Sequence, residues 1–364
     1  MKKNKKIKVV SNFIKLLEKM NKHHLDGPKV YHPSEHWKKL NKINEQWLKK
    51  EGIDSFKRTV NNNYFNWMVN LNSTYFRKVA IHYLLSIFRN PRKIFKVLTI
   101  NIDDMYCRTY ANKSTYPNWL NRKIYALYLL FLYDFVNRRD RYYLFKNLEE
   151  PIFGKPLYVN INGKKITQDI SNSYLEYLYL RNNLGNRFKK LKVIAEIGAG
   201  YGRLTYLLHK LKNNNNLKII LVDLPPALLI SQWYLKKSFP DAKLMMYRNF
   251  SNYSEIKDLF EKSSIIFLLP HQLEKLPSNL IDLVINISSL QEMSKKQINH
   301  YYELINQKAK LFYTKQWLLW ENKDDDMIVP AIIYPTKANW DLLHARLNPV
   351  HSDFFEAIFK IKSF

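Results

Sequence analysis

Cysteine is nearly absent from this chain. Its 364 residues include one, Cys107, so no intramolecular disulfide can staple it. Long apolar runs are missing as well. The longest, Ile124 to Val136, is interrupted by Asp134 and falls short of the roughly 20 residues that cross a bilayer, so it reads as a core helix. No N-terminal stretch joins a basic start, an apolar run and a small-residue cleavage site, which makes a cytoplasmic location the expectation. Acidic residues are scarce: 31 Asp and Glu stand against 59 Lys and Arg, a net charge of +28. Anionic partners are therefore favoured electrostatically. A compositional origin stands beside that reading, because Lys and Asn abound throughout the chain, as in Asn61 to Asn63 and Asn213 to Asn216.

What is present is ordinary globular material. A composition of 46% hydrophobic and 25% charged residues excludes a disordered or fibrous chain, and the length suits about two domains. The first fifty residues hold 14 Lys and Arg and 4 Asp and Glu, and Ile7, Val10, Phe13, Ile14 and Leu17 recur at helical spacing. This basic amphipathic helix either packs its stripe on the domain behind it or makes peripheral contact with an anionic membrane surface. From Trp37 to Phe145 dense aromatics (Trp47, Phe56, Tyr64, Phe65, Trp67, Tyr75, Phe76, Tyr83, Phe88) with few Gly or Pro predict packed helices with these rings in the core. No RNP-like or zinc-knuckle pattern accompanies them, which disfavours nucleic acid as the partner.

At Pro151 the texture changes. Leu157 to Ile161 alternates, Asn162-Gly163 turns, and Lys164 to Thr167 returns as a small hairpin. A helix from Asp169 to Leu184 follows. The expected organisation is a helical N-terminal domain over 1–150, a hairpin and connecting helix over 151–185, and an α/β domain over 186–364.

In the last part Lys192 to Ile197 reads as an apolar strand, followed by Gly198-Ala199-Gly200-Tyr201-Gly202 and a helix from Arg203. Strand, glycine loop and helix make a nucleotide-binding unit whose backbone amides point into the site. Arg203 stands where a dinucleotide fingerprint has its third glycine, which argues against a nicotinamide or flavin cofactor. Glu196, at the strand end, would repel a diphosphate but suits a ligand with an ammonium group. A second strand, Lys218 to Val222, ends in Asp223, placed to accept bonds from two ribose hydroxyls, with Leu224 next to it. S-adenosylmethionine, with its ammonium and sulfonium, fits all three. The alternative is a tight turn at the glycines and a helix-capping Asp223 before Pro225 and Pro226.

Further strands are predicted at Lys243 to Tyr247, Ile265 to Leu269, Asp282 to Ile287 and Lys310 to Gln316. Pro270-His271-Gln272 follows one of them and would edge the adenine pocket, unless His271 is an ordinary loop residue. Ser288 to Met293 follows another and puts Ser288 and Glu292 at the mouth of the site. A hydroxyl acceptor needs a general base, and Glu292 is the first candidate, with a solvated cap as its alternative. His271 and His300 are weaker candidates. No paired-His zinc motif exists and no metal ligands are assigned; Asp324-Asp325-Asp326 reads as a solvated loop, with a hard cation as the alternative. The segment from Trp340 through His344, Arg346 and His351 to Phe359 either walls the acceptor pocket or completes the core.

The segments EIGAGYGRL from Glu196, DLPPAL from Asp223 and DLVINISSLQEM from Asp282 resemble the sugar O-methyltransferases associated with surface-polysaccharide genes. GIDSFKRTVNNNYFNW and the stretch from Pro151 to Tyr177 are similar to the N-terminal region of the same family, so all but about the first forty residues are covered. The resemblance implies a Rossmann-like, S-adenosylmethionine-dependent class I methyltransferase fold. It also implies a helical N-terminal part that covers the acceptor as a lid. The expected function is O-methylation of a sugar hydroxyl on a surface polysaccharide or its precursor, with an anionic acceptor suggested by the charge. The alternatives are an RNA or other small-molecule methyltransferase, or a non-catalytic binding protein on the same fold. Against RNA, no Asp or Asn followed by Pro and an aromatic stands after the strand ending at Ile287, as it does in many base methyltransferases.

Overall fold

The computed structural model describes residues 2–60, 71–102, 107–108, 114–115, 118–212 and 216–362. Tyr64, Phe65 and Trp67 lie outside the described residues, as does much of the GIDSFKRTVNNNYFNW segment. The chain divides into two compact units. One comprises Met1–Lys49, Leu180–Asn348 and Asp353–Phe364; the other comprises Lys50–Tyr179 and Pro349–Ser352. These limits differ from the expected boundaries at 150 and 185. The first 49 residues group with the sheet, because helix α1 (Lys2–Leu25) packs its buried Leu17 and Met20 in that unit against helix α4, defined below.

The first unit is built on an eight-stranded sheet. Its strands are β1 (Val193–Ile197), β2 (Lys218–Val222), β3 (Leu244–Met245), β4 (Ile265–Leu268), β5 (Ile281–Ile287), β6 (Ala309–Trp317), β7 (Trp340–Leu347) and β8 (Phe354–Ile361). The order across the sheet is β7-β8-β6-β5-β1-β2-β4-β3. Strands β1 to β6 pair in parallel, while β8 runs antiparallel to both β6 and β7. The alternating β and α segments thus form the expected mixed α/β architecture. Continuous apolar runs such as Val-Ile-Ala-Glu-Ile in β1 and Ile-Ile-Phe-Leu in β4 are buried along their whole length, as central parallel strands require.

From β1 the chain passes to β2, then to the edge strand β3 and back to β4 between them, and only then crosses to β5 and β6 on the other side of β1. The reversal lies between β1 and β5, and at such a switch point the carboxyl ends of the strands diverge to leave a crevice for a ligand. The helices of this unit are α2 (Glu35–Glu51), α3 (Arg203–Lys212), α4 (Pro225–Ser238), α5 (Lys257–Lys262) and α6 (Lys295–Lys308). Helix α4 opens on Pro225 and Pro226, whose missing amides cost nothing in a first turn. Helix α6 is started by a reciprocal cap between Ser294 and Gln297. The segment from Trp340 to Phe359 supplies the last two strands and so completes the sheet.

In the second unit, helices Thr74–Arg89 and Trp119–Asn137 pack through Phe76, Tyr83 and Phe131. The predicted hairpin is present as Val159–Ile161 paired with Lys164–Ile166. Asn162 and Gly163 both adopt positive φ, as a two-residue hairpin turn demands. Lys57 and Glu150 form a buried ion pair, and Thr167 donates to the same carboxylate. Trp47 in the first unit and Phe56, Phe76 and Tyr83 in the second are buried as expected, but Phe88 is not: it is 85% exposed. It lies on the face of its helix opposite Phe76 and Tyr83, so helical spacing alone misassigned it. No helix among the described residues is long and apolar enough to cross a membrane.

Candidate functional site

The glycine loop sits at the carboxyl end of β1, on the side of the switch point. Gly198 has φ +71°, and a Cβ there would stand 2.2 Å from Ser289 Oγ. The loop after β5 therefore presses against it, and no other residue fits. Gly200 differs: its φ is +58°, and nothing lies within 4 Å of the position a Cβ would take. Open space begins at Gly200. Ala199 is buried, Gly202 closes the turn by donating to Ala199 O, and Arg203 begins α3.

Asp223 follows β2 and reaches across to that loop. Its Oδ2 accepts from Gly200 N at 2.6 Å and its Oδ1 from Leu224 N at 2.6 Å. Burial pushes the carboxyl up to about 7, although both amides pull it down. Glu196 is buried one strand over, and its Oε2 accepts from Thr205 Oγ1 at 2.7 Å, tying β1 to α3.

The end of β5 is held by a network the sequence did not announce. Buried Asn286 donates to Ile197 O at 2.9 Å and to Ser289 Oγ at 2.6 Å, and accepts from Gln316 Nε2 at 2.6 Å. One amide thus locks the ends of β1, β5 and β6 together. Ser288 takes a left-handed conformation, φ +56°, which costs a residue with a Cβ about 1 kcal/mol and turns the chain sharply toward Glu292. Gln291 is spent on Trp317 N and Ser288 Oγ.

Glu292 is only 5% exposed, so it is not a solvated cap. Trp37 of α2 donates its indole N–H to Oε2 at 3.1 Å, and Ser34 Oγ donates to the Glu292 carbonyl at 3.0 Å. Burial pushes Glu292 up to about 8; the Trp37 bond opposes this and the nearby Asp223 charge adds to it. Neither Asp223 nor Glu292 has a cationic partner among the described residues. Two further phenols respond to these acids. Burial and then the Asp223 charge hold Tyr301 protonated, and burial and then the Glu292 charge do the same for Tyr334. The Tyr334 hydroxyl is buried without a hydrogen-bond partner among the described residues, so it is a donor awaiting an acceptor. Trp37, Asn286, Ser289 and Tyr334 all escaped the sequence reading. Only Trp37, an aromatic with a polar edge in a polar helix, carried any signal.

Other expected site residues go elsewhere. Gln272 accepts from Leu269 N at 2.9 Å and donates to Arg248 O at 2.8 Å, so its side chain is committed to the backbone. Pro270 opens this buried turn. His271 lies against α1, with Nε2 at 3.2 Å from His23 Nε2, and burial pushes it down to about 3. It is a packed, neutral imidazole. His300 faces Tyr31 OH at 2.8 Å and Glu274 at 3.1 Å. Among the three successive aspartates, Asp325 accepts from the Glu35 and His36 amides that open α2, and Asp324 pairs with His36 and Lys39. Asp324 and Asp326 are exposed in a turn, as the solvated-loop reading expects, and through Asp324 and Asp325 this loop also anchors the helix that carries Trp37. Among the described residues no group of three His, Cys, Asp or Glu side chains could hold a metal ion.

No family model and no curated protein matches this chain. Among solved structures, it is similar to a sarcosine dimethylglycine methyltransferase from Galdieria sulphuraria at 10% identity and a TM-score of 0.38, over 54% of this chain and 87% of that one. It is similar to the small RNA methyltransferase HEN1 at 15% identity and a TM-score of 0.36, over 53% of this chain and 25% of that one. The third is the LepI protein in complex with SAH and a substrate analogue, at 13% identity and a TM-score of 0.35, over 50% of this chain and 46% of that one.

Proposed function

We propose that the protein is an S-adenosylmethionine-dependent O-methyltransferase whose acceptor is a sugar hydroxyl on a surface glycan or its anionic precursor. The observation that carries the reading is the pair Asp223 and Glu292. Both carboxyls are raised by burial, Asp223 directly after β2 and Glu292 in the turn that follows β5, and neither has a cation to pair with among the described residues. Buried acids in this state gain most from a ligand that brings positive charge.

The residues fit that cofactor. Each Asp223 oxygen accepts one backbone amide and keeps a lone pair for a ribose hydroxyl. The space in front of Gly200 admits the ligand where any side chain would intrude. Glu196 adds negative charge toward an ammonium group. The cofactor, when bound, supplies an electrophilic methyl on a sulfonium.

The chain's own contribution is position and proton transfer. Holding acceptor and donor in line is worth on the order of 7 to 11 kcal/mol. Trp37 fixes Glu292 Oε2, leaving Oε1 to take the proton from the acceptor hydroxyl, a step typically worth about 10² to 10⁴-fold. Positive charge nearby draws the Glu292 proton off and readies it as a base. The net charge of +28 favours a phosphate-bearing acceptor.

The test is transfer of a labelled methyl group to glycan precursors and, in parallel, to RNA. The reading expects label on a sugar hydroxyl and its loss in Glu292→Gln. Label on RNA instead, unaffected by that substitution, contradicts it.

A further inference from the structure

The second unit carries a feature that the methyltransferase reading does not use. Helix Thr74–Arg89 buries Phe76, Val79, Tyr83 and Ser86 on one face. Its opposite face presents Ile81, Leu84, Leu85 and Phe88, spaced like a second apolar stripe and all exposed. The next helix, Lys93–Thr99, buries none of its residues. It adds Ile94, Phe95 (65% exposed) and Leu98 (69% exposed). Tyr83 OH donates to Lys93 O at 3.1 Å and Lys93 Nζ donates to Ser86 Oγ at 3.1 Å, so the two helices are tethered beside each other.

The charge on this segment is one-sided. From Ser55 to Ile102 the sequence holds eight Lys and Arg and no Asp or Glu. Arg77, Arg89, Arg92 and Lys96 are exposed, and among the described residues none of them forms an ion pair. Seven protruding aliphatic and aromatic side chains would be costly to leave in water, and monomers rarely display such a cluster without a partner.

We infer that the helix pair 74–99 is an interfacial anchor that seats this protein on an anionic lipid bilayer. Apolar side chains and unneutralised cations on the same short segment are the two signals that stable interfacial binding needs. A bilayer accepts both without any matching groove. The charge complementarity decides for it, since the cations flank the apolar face and no acid interrupts them. This surface is distinct from the basic N-terminal helix, which belongs to the other unit.

The experiment is co-sedimentation of the full chain with vesicles of phosphatidylcholine alone or mixed with phosphatidylglycerol. The wild type should bind only the mixed vesicles. The double variant Phe88→Asp with Phe95→Asp should bind at least about ten-fold more weakly, and Arg89→Glu with Arg92→Glu should also weaken binding. All four positions are exposed, and unchanged melting curves verify folding. Three results overturn the inference. One is a wild type that ignores both vesicles. Another is binding that survives the apolar variant but is lost when Lys5, Lys6 and Lys8 are changed to Glu. The third is a wild-type dimer that the Phe88 and Phe95 variant converts to monomer without any vesicle binding, which would make the partner a second copy.

Discussion

Two acids beyond strand ends of the sheet unit, Asp223 and Glu292, are held differently from acids buried in the helical unit and from Glu356 of the sheet itself, which Arg346 and Tyr313 satisfy. In the helical unit Glu150 and Asp140 are satisfied by their own neighbours. Glu150 has Lys57 and Thr167, and Asp140 accepts from Tyr142 N, Phe145 N and Tyr174 OH at 2.6 to 3.0 Å. In the sheet unit Glu292 is buried and Asp223 partly buried, both carboxyls are raised by burial, and neither has a cationic partner among the described residues. A paired buried acid is part of the scaffold; an unpaired one belongs to whatever ligand completes it. Apolar surface differs in its arrangement. The central strands of the sheet unit are enclosed, with exposed apolar side chains such as Leu342 and Leu347 on its edge strand, whereas the helical unit turns a whole second stripe outward at Ile81 to Phe88.

Substitutions can break or sharpen this comparison. The largest effect is expected at Glu292. Glu292→Gln should lower the rate of methyl transfer about 10² to 10⁴-fold in single-turnover assays while leaving the fold intact, because the amide keeps the Trp37 bond but cannot take a proton. The counterpart in the helical unit is Lys57→Met. It strands the Glu150 carboxylate and should destabilise that unit by about 3 to 5 kcal/mol, read by calorimetric melting, with cofactor binding by the other unit retained.

Smaller effects separate two glycines of one loop. Gly198→Ala drives a methyl into Ser289 and adds backbone strain, so its melting temperature should fall by the equivalent of about 1 to 3 kcal/mol. Gly200→Val meets no protein atom but fills the ligand's space. Its backbone φ of +58° still strains any residue with a Cβ, so the variant should lose about 1 to 2 kcal/mol of stability, yet at a temperature where it is folded it should lose cofactor affinity in equilibrium titration. If Gly200→Val binds normally, the open space in front of it is not the site.

The smallest effect is a pH profile. The Glu292 carboxyl sits at about 8 in the folded chain, above the ordinary range for the unfolded one. Between those values the folded state holds the extra proton, so its stability falls as pH rises toward about 8. Denaturant titrations at about pH 5 and about pH 9 should show Glu292→Gln gaining on the wild type at the higher pH. A constant difference would mean that Glu292 is not buried as an unpaired acid.

Much of the sheet unit was legible in the sequence because local signals agreed with the tertiary outcome. The apolar strand before Gly198, the glycine loop and the acid after β2 each follow from spacing alone, and the structure brings Asp223 onto the Gly200 amide. Glu292 was found by its distance from β5, but its burial was not, since that depends on Trp37 arriving from 255 positions away. Asn286 and Gln316 look like ordinary polar residues within strands; only the parallel register of β5 and β6 makes them partners. Strands β7 and β8 were missed because their mixed aromatic and basic pattern has no clean alternation. The misplaced Phe88 is instructive in another way. Aromatics at helical spacing identify a helix, but two stripes on one helix cannot both face one core.

The central claim is that Asp223 and Glu292 await a cationic nucleoside ligand. Isothermal calorimetry of S-adenosylmethionine binding, in two buffers of different ionisation enthalpy, tests it most directly. The account predicts micromolar binding by the wild type, proton release as the raised carboxyls ionise against the incoming charge, and loss of binding in Asp223→Ala. A folded wild type that binds no S-adenosylmethionine, or binds it equally well without Asp223, would contradict the account.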